Sequence, residues 1–308
     1  MKKTTIIILI VVAVLIATLC SAAIYILNQR TDNSEAVRIY LPEGTTFDAL
    51  CDSVDASSTF RLMARVLKLN ENIRPGSYIV EPHMQTIALV RKLRNGQQDP
   101  IRLTIGKFRL PEQLNTFLNT KLMHNDFNVT LESFHLILPD TYEFYWTVTP
   151  EQFMQRMKKE YEHFWSNRKN NLTAKTEDII ILASIVEEET NYNPEKPLIA
   201  SVYLNRLQRG MPLQADPTVK YAVGDFTLRR ILNKHLAVES PFNTYLHAGL
   251  PPAPICIPSK ATIDAVLNAT ETQYIYFCAS EKLDGTHRFA TTLAEHNRNA
   301  ARYHAAIR

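Results

Sequence analysis

The sequence predicts an α+β protein with one apolar segment at its start and two folded units behind it. Three observations carry this. The run from Thr4 to Leu27 is apolar and uncharged. Behind it, short β-branched and aromatic runs are mixed with stretches of helical spacing. The two do not alternate strictly, which argues against a wound parallel sheet. Finally, Thr176 to Thr190 is apolar on nearly every side, as a buried central helix is.

With 308 residues the chain can hold one large or two moderate domains and bury a proper core. A net charge of +3, with no basic block interleaved with aromatics, gives no support for a nucleic-acid partner. There are only 8 glycines and no phosphate-cradling G-x-x-x-x-G-K-[ST] loop. The nine histidines form no H-E-x-x-H. The four cysteines (Cys20, Cys51, Cys256, Cys278) fit neither a disulfide framework nor a zinc site. No metal and no cofactor is therefore expected. A Cys256–Cys278 bridge and two buried free thiols are both open readings. No G-x-S-x-G elbow is present.

Residues 1–3 read as a cytoplasmic tail and residues 4–27 as a transmembrane helix, since about 20 apolar residues span a bilayer. Lys2 and Lys3 favour a cytoplasmic N-terminus, and Arg30 weakens that bias. A cleaved signal peptide ending at Ser21-Ala22-Ala23 is the competing reading. The run continues to Leu27, longer than a usual signal core, which favours an anchor. Leu19 before Cys20 is too large for a lipobox. In either case the bulk of the chain is expected outside the cytoplasm.

Residues 28–36 form a polar linker. In residues 37–98, Val37 to Leu41 and Gly76 to Val80 read as strands. Thr46 to Val54, Ser58 to Leu69 and Gln85 to Asn95 read as helices, with Thr45 or Thr46 and Ser57 as caps and Gly96 as a stop. Residues 99–308 form the larger unit. A strand at Ile101 to Ile105 precedes a helix from Pro111 to Leu122. Pro139-Asp140-Thr141 then follows an apolar run as a turn signal, with Asp140 and Tyr142 as possible cleft residues. An amphipathic helix from Pro150 to Asn170 reads as structural.

The central stretch starts with Thr176 as N-cap, followed by Glu177 and Asp178 where helix N-termini favour acids. It ends in Glu187, Glu188 and Glu189. Acids at a helix C-terminus cost roughly 0.3–1 kcal/mol each. Mutual repulsion and desolvation push such a carboxyl pKa upward. A carboxylic acid that keeps its proton near neutrality is what glycoside cleavage requires. The plainer reading is a solvated helix end.

A second helix follows from Glu195 to Arg209, with Pro197 in its first turn and Gly210 as its stop. Residues 211–225 then read as a loop carrying Gln214, Asp216, Thr218 and Tyr221. Asp216 alternatively caps a helix beginning at Pro217. Prolines 251, 252, 254 and 258 stiffen a later loop, expected as a cleft wall. The chain closes with a helix from near Ser259, strands at Tyr274 to Ala279 and Gly285 to Phe289, and a helix from Thr292 to about Ile307. His247 and His287 lie nearest the candidate residues, and each also reads as a plain structural histidine.

Taken together, ASIVEEET, ASVYLNRLQRGMPLQADPTVKYAVG and NTYLHAGLPPAPICIPS resemble the endolytic murein transglycosylases, the MltG or YceG-like family, over roughly the last half of the chain. The resemblance places the catalytic acid at the first acid after Ser-Ile-Val, Glu187. Glu188 stands where the family usually carries a basic residue. Gln214, Asp216, Asn243, Thr244 and Tyr245 become candidate sugar-binding residues, and Asn205 and Arg206 candidate support for Glu187. Phe134 and His135 replace the Glu and Gly of the family's L-E-G-x-L-F-P-D-T-Y, so no acid is carried over there. The order of elements in 37–98 is similar to a LysM-like module, and a glycan-binding role and a spacer role fit it equally.

The implied activity is lytic cleavage of the MurNAc-GlcNAc bond of peptidoglycan strands to 1,6-anhydroMurNAc ends, with one Glu as general acid and then base. A hydrolytic muramidase using Asp216, and a non-catalytic wall-binding division scaffold, are the alternatives. The partners implied are peptidoglycan glycan strands, the lipid bilayer through residues 4–27, and the cell-wall synthases.

Overall fold

A computed structural model describes residues 2–169, 172 and 174–307. The chain divides into two compact units. The first is Met1–Leu103 with Lys121–His124 and Glu143–Val148; the second is Thr104–Thr120, Asn125–Tyr142 and Thr149–Arg308.

In the first unit, α1 (Lys2–Leu27) is one unbroken helix. It is long and apolar enough to cross a membrane: its most apolar 18-residue stretch has a mean hydropathy of 3.0 and no buried residue. β1 (Val37–Leu41) pairs antiparallel with β2 (Gly76–Val80), Ile39 opposite Tyr78. Between them lie α2 (Phe47–Ser53) and α3 (Ser58–Val66), whose Thr46 and Ser57 hydroxyls accept from backbone amides as N-caps should. α4 (Thr86–Asn95) ends at Gly96, which takes φ +65° as a helix stop. Leu41, Leu50, Phe60, Tyr78, Leu89 and Leu93 close the core. The segment expected as a polar linker is tied down. Thr31 N–H donates to the Met84 carbonyl at 2.8 Å, and Asn33 Nδ2 donates to the Val80 and Glu81 carbonyls.

A second two-stranded sheet joins β3 (Ile101–Ile105) to β4 (Asp140–Phe144), and the division between units falls within both strands. The second unit otherwise holds α5 (Pro111–Lys121), α6 (Pro150–Ser166), α7 (Thr176–Glu189), α8 (Lys196–Gln208), α9 (Asp216–Val223) and the short α10 (Asn233–Leu236). It closes with α11 (Lys260–Leu267), a hairpin of β5 (Tyr276–Ala279) and β6 (His287–Ala290), and α12 (Leu293–Ala306). Among the described residues, three two-stranded sheets with many helices make the chain α+β.

α7 is the axis of this unit. Ile179 through Val186 are all buried, and α8, α9 and α11 pack around them. A helix covered on every side has no polar face to display, which is why the sequence shows no amphipathic stripe there. Thr176 is the first helical residue and Lys175 the capping position. The Thr176 hydroxyl instead accepts from Tyr161 Oη at 2.9 Å.

Three expectations change. α6 ends at Ser166, and the expected end at Asn170 lies outside the described residues. The expected loop 211–225 contains α9, with Asp216 as its first residue and Pro217 next, so Thr218 and Tyr221 are helical. The proline-stiffened loop, expected as a cleft wall, is mostly buried in the core and lines a small cavity beside Arg109, Glu188 and Tyr221 through Ile255. The Ile255 amide donates to Ser184 Oγ on α7 at 3.0 Å, and Ala253, Ile255 and Ile257 are buried.

Candidate active site

The last turn of α7 carries the three glutamates. Successive residues on a helix are rotated by about 100°, so three adjacent side chains leave in three directions. Each meets a different environment.

Glu187 points to α8 and α11. Its Oε2 accepts from Lys196 Nζ at 2.9 Å, from Ser259 Oγ at 3.0 Å and from the Thr262 hydroxyl. Lys196 is buried and also donates to Thr262. Burial alone pushes the Glu187 pKa up. The hydrogen bonds from Thr262, Lys196 and Ser259 and the lysine charge outweigh it and hold the carboxyl below its ordinary value. Glu187 is thus an ionised member of a polar knot joining three helices. The pKa rise expected of it does not occur.

Glu188 points to the β3–α5 connection. Arg109 donates to both its oxygens, at 3.1 and 2.9 Å, and Lys107 Nζ lies at 2.7 Å. Burial raises this carboxyl, and the two cations bring it below its ordinary value. The acid that stands where the family usually has a base is neutralised by two bases supplied from another element.

Glu189 points towards α8 and α9. Tyr203 Oη donates to its Oε1 at 2.5 Å. It has no ion pair within 4 Å among the described residues. Although it keeps an accessible edge, the protein around its carboxyl is dense enough for desolvation to dominate, and the nearby Asp216 charge adds to this. Tyr203, Lys220 and Arg206 oppose the shift without cancelling it. The pKa is pushed up to about 7. The upward shift expected at the helix terminus thus falls on Glu189, two residues beyond Glu187. Glu189 opens on a cleft of about 630 Å³, walled also by Tyr192, Ser280, Asp284, His287 and Tyr303.

The other candidate residues separate into two groups. Asp216 and Gln214 are exposed. Asp216 accepts from Tyr245 Oη at 2.7 Å and lies close enough to Glu189 to raise its pKa. Gln214 holds φ +50°, unusual for a residue with a Cβ. Its side-chain oxygen accepts from Arg206 Nη1 at 3.3 Å. These three polar side chains can meet a ligand.

Asn243 and Thr244 cannot, because both are buried. Asn243 Nδ2 donates to the Leu236 and Val238 carbonyls, each at 2.9 Å. Thr244 Oγ1 accepts from the Ala215 amide at 3.1 Å and is hydrogen-bonded to Thr218 Oγ1 at 2.8 Å. They fix the loop that presents Tyr245 and the start of α9.

Asn205 and Arg206 also act elsewhere than at Glu187. Asn205 Nδ2 donates to the Thr272 and Tyr274 carbonyls, and Arg206 Nε to that of Ile275 at 2.7 Å. Arg206 Nη1 reaches the Leu213 carbonyl at 2.8 Å. The buried guanidinium so joins the strand segment to the 212–214 turn, and its charge faces Glu189.

Asp140 accepts from Lys260, which holds its carboxyl below the ordinary range. Tyr142 is buried and donates to the Leu138 carbonyl. All four cysteines are free thiols, which answers the Cys256–Cys278 question. Among the described residues no group of three His, Cys, Asp or Glu could hold a metal.

Tyr203 and Lys196 escaped the sequence reading, although both lie on the α8 face that carries Ile199 and Ala200. A buried tyrosine needs a partner for its hydroxyl, and that need is the signal that could have pointed to Glu189.

A carboxyl whose pKa is pushed up to about 7, opening on a cleft and flanked by carboxylate, tyrosine and amide groups, is the equipment of a glycoside-cleaving acid–base enzyme. Comparison with known proteins makes this specific. Residues 39–302 match the model of the YceG-like family, and the chain belongs to that family. It is 29% identical over 314 residues to the endolytic murein transglycosylase of Bacillus subtilis, covering 88% of this chain and 86% of that protein. It is 32% identical over 176 residues to the endolytic murein transglycosylase of Streptococcus pneumoniae, covering 54% of this chain and 31% of that protein. The chain also superposes on the crystal structure of a yceG-like protein from Listeria monocytogenes. The TM-score is 0.53 at 27% identity, covering 86% of this chain and 99% of the other.

Proposed function

We propose that this protein is a membrane-anchored endolytic transglycosylase that cuts the MurNAc-GlcNAc bond of peptidoglycan strands and leaves 1,6-anhydroMurNAc ends, with Glu189 as its general acid. One observation carries the assignment of the acid. Of the three glutamates, Glu189 alone has its pKa raised to about 7, while Glu187 and Glu188 are held ionised by cations. Only a protonated group can give a proton to the leaving O4. The names of the Bacillus subtilis and Streptococcus pneumoniae relatives support the substrate.

In this reading Glu189 protonates the glycosidic oxygen as the C1–O4 bond breaks, and the 2-acetamido group helps carry the developing charge. The C6 hydroxyl of the same sugar closes on C1. Its proton returns to the enzyme and Glu189 is reset, so no second carboxylate is needed to activate water. Asp216, Tyr245 and Gln214 bind the sugar beside the acid. α1 anchors the chain with its N-terminus in the cytoplasm and the catalytic unit outside. The 37–98 module has the element order of a LysM-like unit, which suits glycan binding and a spacer role equally, and the catalytic unit works where the synthases lay down new strands.

The test is a digest of sacculi analysed by mass spectrometry. Wild type should give anhydro ends, one water lighter than reducing ends, and Glu189→Gln should lose several orders of magnitude of activity while Glu187→Gln, where it folds, keeps a measurable rate. Loss of all cleavage in Asp216→Asn, together with reducing MurNAc ends from the wild type, would favour a hydrolytic muramidase instead.

A further inference from the structure

The cleft beside Glu189 contains a second proton-handling group that the proposed reaction has not yet used. His287 opens β6 and forms part of the cleft wall. Its ring is held by Glu195, which lies in the short turn between α7 and α8. Nδ1 is 2.8 Å from Glu195 Oε2, and the His287 backbone amide donates to both carboxylate oxygens at 3.0 and 3.1 Å. Both side chains are largely buried, and the Phe277 ring packs edge-on against the imidazole at 5.5 Å.

A carboxylate facing Nδ1 fixes the tautomer with the proton there, and Nε2 is left as an acceptor. Nε2 makes no hydrogen bond among the described residues. A nucleophile-side base oriented by a third group is the arrangement that activates hydroxyls on many unrelated folds. The other titratable groups on this cleft are Glu189, Asp284, Tyr192 and Tyr303. Asp284 is the weaker base, because its Oδ1 accepts from the Thr286 hydroxyl at 2.6 Å and the Thr286 amide at 3.1 Å, which hold the carboxyl below its ordinary value.

We propose that His287, oriented by Glu195, is a catalytic residue that accepts the proton of the attacking sugar hydroxyl across the cleft from Glu189. This rests on the transglycosylase reading above and names the group that completes it. The C6 O–H bond breaks as O6 bonds to C1, and the hydroxyl proton passes to His287 Nε2. In the same event the C1–O4 bond breaks and the Glu189 proton passes to O4. His287 then holds one proton too many and Glu189 one too few. Transfer through water in the shared cleft restores both, so each turnover balances without any co-reactant. Glu195 is a positioning residue, since it acts through the ring.

The experiment uses the full-length protein in detergent, acting on peptidoglycan glycan strands, with kcat, KM and their pH profiles followed by release of anhydro ends. His287→Gln should lower kcat by roughly 10²- to 10⁴-fold with KM little changed. The alkaline limb of the pH profile, which Glu189 sets, should stay. Glu195→Gln should lower kcat with KM little changed, because the tautomer is no longer fixed. A wild-type kcat in folded His287→Gln overturns the proposal and leaves the role of Glu189 standing. If His287→Gln fails to fold, Glu195→Gln decides, and a wild-type kcat there overturns it. If wild type releases no anhydro ends at all, the transglycosylase reading falls first and this proposal with it.

Discussion

The assignment of Glu189 over Glu187 predicts opposite pH dependences of stability, readable without any substrate. Glu189 has a pKa of about 7 in the folded protein against 4.5 for an ordinary glutamate. Between those values the folded state binds more protons than the unfolded state, so stability falls as pH rises through that window. The penalty is absent below the ordinary value and fully present above the raised one. At 1.36 kcal/mol per pH unit, the ceiling is about 3 kcal/mol, trimmed by the water that reaches Glu189 from the cleft. Gln cannot ionise, so Glu189→Gln should match wild type near pH 4 and exceed it near pH 8, by roughly 5 °C in Tm.

Glu187 behaves the other way. Its lowered pKa gives stability that is present above the ordinary glutamate value and lost as pH falls through the folded one. Glu187→Gln should therefore be destabilised at pH 8 and converge on wild type in acid. Thermal denaturation of the three proteins at pH 4 and pH 8 checks both slopes. A Glu189→Gln protein that loses stability at pH 8 relative to wild type would refute the argument that desolvation, and not the Tyr203 bond, dominates that carboxyl.

Other predictions follow from the same contacts. Lys196→Met leaves Glu187 buried without its cation and should cost about 3–5 kcal/mol, seen as a large fall in Tm at neutral pH. Asn243→Ala frees the Leu236 and Val238 carbonyls and should cost about 1–3 kcal/mol of stability. The surviving folded fraction should keep its KM, because the Asn243 side chain does not reach the ligand. Because all four thiols are free, dithiothreitol should leave the Tm unchanged. A drop in Tm on reduction would reveal a disulfide.

Local physics made most elements legible before any coordinates. Thr46, Ser57, Ser259 and Thr292 are short hydroxyl side chains ahead of apolar-periodic runs, and each caps the helix it was expected to start. Gly96 and Gly210 stop helices with positive φ, where a side chain would be strained. The uncharged run at the N-terminus could only be a long apolar helix. What was misread locally was a competition between near-equal signals: Asp216-Pro217 reads as a loop, a cap or a helix start. Burial of Pro217, Thr218 and Val219 against the core settled it as a helix start.

The sequence by itself set a buried helix ending in three acids, where a helix C-terminus, neighbouring charges and desolvation all push a carboxyl pKa upward, beside the plainer reading of a solvated helix end. It could not say which of three adjacent glutamates would take that shift. Their intrinsic chemistry is identical, and they differ only by the direction each takes from the helix. Tertiary packing supplied that difference by bringing Lys196, Ser259 and Thr262 to the first, Lys107 and Arg109 to the second, and only a tyrosine hydroxyl to the third. The same holds for Asn243 and Thr244, whose polarity suits a sugar as well as a loop. Only burial, a property of the whole fold, decided that they hold the loop. A pKa is set by the neighbours of a carboxyl in space, and for these three residues most of those neighbours lie far away in the sequence.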